Sequence, residues 1–72
     1  MQKELNEIKT LVRVEIELEE LSTKLEKLSK FMITKAFDEL PPEQRVLMNA
    51  QASIMATYKD ILTMRLKKWT QH

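Results

Sequence analysis

Glycine is absent from this chain of 72 residues, and its only two prolines, Pro41 and Pro42, stand side by side. Without glycine there is no cheap route to a left-handed turn or a flexible linker, so the chain has one strong break and long uninterrupted segments on either side. Pro41 biases Leu40 away from helical geometry, whereas Pro42 suits the first turn of a helix that follows. Glu43 complements the positive end of that helix. These signals predict one helix over about 3–36, a joint over about 37–42 and a second helix over about 42–69, together forming a single domain.

The first segment carries the stripe Leu11, Val14, Leu18, Leu21, Leu25, Leu28 and Met32. Its steps alternate three and four residues, which is the seam of a left-handed coiled coil. Glu20 with Lys24 and Glu26 with Lys30 add i,i+4 support outside the seam. The run Val12–Leu18 also alternates as a strand would, but the heptad passes through it and no turn lies nearby, so it reads as helix. The second segment carries Met48, Ala52, Met55, Lys59, Leu62, Leu66 and Trp69. Folding the chain at the prolines sets Met32 level with Met48, Leu28 with Ala52, Leu25 with Met55, Leu18 with Leu62, Val14 with Leu66 and Leu11 with Trp69. The two residue numbers have the same sum in every pair, so two independent stripes fall into one antiparallel register. Leu21 meets Lys59, which can lay its methylenes over the seam. The expected fold is therefore all-α, an antiparallel two-helix hairpin of coiled-coil type.

More apolar surface is present than a hairpin can bury. Leu47, Ala50, Ile54 and Ile61, widened by Val46 and Met64, lie on a flank beside the second seam, and Leu5, Ile8, Val12 and Ile16 lie off the first. A helix apolar over most of its circumference needs cover on more than one side. A chain this small needs disulfides, a metal or self-association to complete its core. The sequence has no cysteine, and its only histidine is His72, so thiolate and histidine-rich metal sites are excluded. Self-association into a helical bundle, a dimer or tetramer of hairpins, is the remaining route.

With 12 basic and 11 acidic residues the net charge is +1, too weak a field for a binder of duplex DNA or RNA that works by bulk charge. No apolar run is long enough to span a membrane, and Met1–Leu5 has no signal-peptide core, so a cytoplasmic protein is expected. For catalysis there is no nucleophile beside a base, no phosphate-cradling glycine loop and no histidine in the folded region, so neither an enzyme nor a cofactor is expected. Glu15, Glu17, Glu19 and Glu20 spread over two helix faces and read as solvated surface. Lys67 and Lys68 read as partners of the negative helix end. Met32, Met48, Met55 and Met64 read as core filling, and Phe31 and Phe37 as wedges beneath the joint.

One polar line crosses the second flank: Gln51, Tyr58 and Arg65, at heptad spacing. An amide, a phenol and a guanidinium suit a ligand with phosphates and flat rings, with arginine on phosphate, tyrosine stacking and glutamine on a base edge. The same residues stand level with Ser29, Ser22 and Glu15. They could equally bond across the hairpin as Gln51–Ser29, Tyr58–Ser22 and Arg65–Glu15, a polar seam that only sets register.

The pattern Leu25-x-x-Leu28-x-x-Phe31-x-Ile33, Phe37-x-x-Leu40, Leu47-Met48-x-x-Gln51-x-x-x-Met55-x-x-Tyr58-x-x-Ile61-Leu62-x-x-Arg65 resembles a widespread group of very small proteins of tailed bacteriophages, and within it the anti-CBASS sponges. The resemblance covers about residues 21–66, and its discriminating positions are Phe37, Gln51, Tyr58 and Arg65. It implies a phage origin, a homo-oligomer in the host bacterial cytoplasm, and stoichiometric capture of a cyclic dinucleotide alarm signal where hairpins meet. Arg65 would lie on a phosphate, and Tyr58 or Phe37 against a base. The competing expectation is a structural or adaptor coiled-coil protein whose second flank binds another protein, such as a host factor.

Overall fold

A computed structural model describes residues 2–70, of which the side chain of Thr70 is not described; Met1, Gln71 and His72 lie outside the described residues. Two long helices, α1 (Gln2–Met32) and α3 (Pro42–Thr70), flank a single turn of helix, α2 (Lys35–Asp38). They form an antiparallel hairpin measuring 55 × 16 × 15 Å. Val12–Leu18 is helical throughout, so the heptad prevails over the local strand-like alternation.

The seam is formed by the two stripes derived above. Val14 (3% exposed) and Leu62 (0%) are its two closed positions, and the other twelve members, Lys59 included, are all half-buried. Each stripe presents a narrow apolar edge, and a single partner helix can cover only that edge. Outside the seam, Lys30 and Glu26 pair at 3.1 Å in solvent, which contributes a few tenths of a kcal/mol at most.

The joint differs from expectation. The first helix stops at Met32, short of residue 36, and α2 begins anew at Lys35. Thr34 is the cause. Its backbone is extended (φ −95°, ψ 159°), and its Oγ1 accepts from the Phe37 N–H at 3.3 Å and donates to the Phe31 carbonyl at 2.6 Å. One hydroxyl thus closes the C-terminal end of α1 and caps the N-terminal end of α2. That extra corner turns Phe37 inward, where it is buried (8% exposed) and meets Phe31 edge to face at 6.1 Å. At the far side of the joint, the Pro41 carbonyl accepts from the Gln44 and Arg45 N–H groups at 2.9 and 3.2 Å. Pro42 thereby occupies the first helical position, where its missing N–H costs nothing.

Candidate ligand groove

Gln51, Tyr58 and Arg65 all lie exposed along one side of α3. The alternative to a ligand site paired them across the hairpin with Ser29, Ser22 and Glu15, and for Tyr58 and Gln51 the structure shows other partners. The Tyr58 hydroxyl donates to the Glu17 carboxylate, not to Ser22. Gln51 turns along its own helix, its Nε2 lying 3.9 Å from the Met55 sulfur. The reason is geometric. Residues at equal height in an antiparallel pair need not lie on the same side of the seam. Gln51, Tyr58 and Arg65 each precede by one residue a core position of the a type, and the α1 positions of that kind are Thr10, Glu17, Lys24 and Phe31. In an antiparallel pair these two sets flank each other, while Glu15, Ser22 and Ser29 belong to the opposite flank.

By heptad position, Glu17 and Lys24 of α1 and Gln51, Tyr58 and Arg65 of α3 share one flank of the seam, and Tyr58 and Glu17 meet across it. Tyr58 lies at the middle of the α3 line, 39% exposed. The hydrogen bond to Glu17 holds the phenol above its usual value near 10. Partial desolvation and the carboxylate's charge act in the same direction, and the Arg65 guanidinium pulls the other way. The ring is thus tethered at its hydroxyl and open on a face, with a cation beside it. Such an arrangement can stack on a flat ring and neutralise an anion nearby. Tyr58 also forms part of a shallow depression of about 350 Å³ with Ser53, Ile54, Thr57 and Ile61.

Phe37, expected with the other three, is not with them. Its ring is packed against Phe31 beneath the joint and has no open face for a ligand. Glu17, by contrast, was read as solvated surface and proves to be the residue that orients Tyr58. The heptad position it shares with Lys24, one residue before a seam leucine, is the signal that could have found it. Among the described residues no cluster of acidic or histidine side chains could hold a metal ion. No described helix is long and apolar enough to cross a membrane.

The fold defines an all-helical hairpin with an exposed polar line on one flank of its seam. The Sequestin family model matches residues 8–68, and the chain belongs to the Sequestin family. The match extends well into α1 and takes in Glu17 as well as the α3 line. No curated protein and no solved structure matches the chain. Family membership points to sequestration, the holding of a ligand, in preference to its conversion.

Proposed function

We propose that this protein is a homo-oligomeric sponge, encoded by a phage, that captures cyclic dinucleotide second messengers of anti-phage defence in the host bacterial cytoplasm. It acts by stoichiometric binding without turnover. Arg65 takes a phosphate, the Tyr58 ring stacks on a base and Gln51 meets a base edge. Lys24, on the facing helix, adds a second positive charge for a ligand with two phosphates. The observation that carries this reading is Tyr58: a tyrosine steered by Glu17, under the influence of Arg65, and left open in a protein of the Sequestin family.

A second reading, an adaptor that binds another protein, draws on a different observation. Leu47, Ile54, Ile61 and Met64 are all exposed, and contiguous apolar surface of this kind usually marks an interface.

Native mass spectrometry with a panel of cyclic dinucleotides and linear nucleotides separates the two. The sponge reading expects retention of some cyclic dinucleotides and loss of binding in Arg65→Ala, with helix content and assembly unchanged. An assembly that retains no nucleotide overturns it and leaves the adaptor.

A further inference from the structure

The phenol of Tyr58 has one hydroxyl hydrogen, and that hydrogen is spent on the Glu17 carboxylate. The phenol oxygen is left able only to accept, and a carboxylate has no hydrogen to give. The hydroxyl end of the Tyr58 ring therefore carries acceptors side by side and no donor. Both residues are exposed, so this acceptor end faces solvent. Arg65 stands one heptad further along α3, about 10 Å at 1.5 Å per residue, and its charge is felt at the phenol. The flank thus has a donor pole at Arg65 and an acceptor pole at Glu17 and the Tyr58 hydroxyl. A phosphate, which only accepts, is driven from the acceptor pole toward Arg65. What the acceptor pole takes is a flat ring with adjacent N–H donors on one edge.

We propose that Glu17 is a specificity-determining residue, which reads the base stacked on Tyr58 and selects guanine over adenine. Guanine presents two neighbouring donors on one edge, N1–H and the N2 amino group, and these match the acceptors gathered at Glu17. Adenine presents a bare N1 beside a single amino group at the same edge, so a lone pair faces the carboxylate. An offset stack on the phenol lets that edge overhang the hydroxyl end, where Glu17 stands. Selection comes from the mismatch, because adenine leaves acceptors facing each other unpaired. A good two-bond contact to a base edge separates right from wrong base by about 5–150-fold. The exposure of Glu17 places the effect near the low end, about tenfold. One base only is selected. The other meets the Gln51 amide, which holds both a donor and an acceptor and suits either purine.

This inference rests on the nucleotide-binding reading above and on no particular oligomer. Isothermal titration calorimetry of the full chain with cyclic di-guanylate, di-inosinate and di-adenylate of one linkage tests it. Di-inosinate lacks the N2 amino group and so has one donor of the two. Wild type should bind di-guanylate about tenfold more tightly than di-adenylate, with di-inosinate between them. Glu17→Gln can still accept from the Tyr58 hydroxyl through its amide oxygen, so the ring keeps its tether while a donor replaces the second acceptor. That variant should reduce the guanine preference to about twofold or less, since glutamine pairs well with adenine. If Glu17 only orients Tyr58, the variant lowers all three affinities by one factor, and that result overturns the proposal. A chain that retains no cyclic dinucleotide in the native mass spectrometry panel overturns the sponge reading and this inference with it. A chain that retains them, yet binds di-adenylate as tightly as di-guanylate, overturns this inference alone. Should Glu17→Gln lose its helix content by circular dichroism, the wild-type order of the three ligands decides.

Discussion

Leu62 has no exposed surface, and Leu62→Ala measures how much of the fold depends on the seam. The substitution removes three carbons from a closed site, about 2.4 kcal/mol of transfer free energy at about 0.8 kcal/mol for each carbon. The seam is one layer deep and open at its sides, so neighbours can partly close the gap. A residual cavity on the order of 40 Å³ adds roughly 1 kcal/mol. The expected loss is about 3–3.5 kcal/mol, against a total stability of roughly 4–11 kcal/mol for a domain of this length. Leu47→Ala is the control, because the same chemical change at an exposed position should cost less than about 0.5 kcal/mol within the hairpin. Both belong in urea titrations followed by circular dichroism over a dilution series, since assembly adds a concentration-dependent share to apparent stability. At the dilute limit the Leu62 variant should lose about 3 kcal/mol with an unchanged denaturant slope. Leu47→Ala should match wild type there and fall behind only as concentration rises. A loss below about 1 kcal/mol for Leu62→Ala, or equal losses for the two at dilution, would refute the packing argument.

Thr34→Ala, which removes the hydroxyl closing α1 and capping α2, should cost about 1 kcal/mol by the same titration, and Thr34→Ser should recover most of it. Tyr58 is the only tyrosine, so absorbance near 295 nm reads its ionisation alone. The wild-type midpoint should lie above the usual value near 10, and Glu17→Ala should lower it, since the hydrogen bond to Glu17 is the leading cause of the shift. A phenol held above its unfolded value favours folding fully below that unfolded value. The contribution is lost as pH rises through the folded value. Stability should therefore show a Tyr58-dependent decline only on the alkaline side, and one appearing between pH 5 and 8 would contradict the assignment.

The hairpin was legible from the residues because a heptad is a one-dimensional signal. Two stripes with a common register, separated by the Pro41–Pro42 break, admit one antiparallel solution, and the half-buried Lys59 fits it as readily as the leucines do. Excess apolar surface was legible for the same reason, being a count of what one seam cannot hide. The site was legible only in part. Spacing placed Gln51, Tyr58 and Arg65 on one line, but residue height along a helix carries no information on which side of a seam a side chain lies. Heptad position narrows the partner to the flank that holds Glu17, and the packed helices decided that Tyr58 meets Glu17 there. The corner at Thr34 was likewise a tertiary decision. Nothing local forbids helix through Ile33 and Thr34, and the break is held by a hydroxyl serving two helix ends while Phe37 finds cover against Phe31. Periodicity therefore determined which faces had to be buried. The tertiary structure decided which polar groups meet, because a hydrogen bond depends on direction in three dimensions and hydrophobic burial does not.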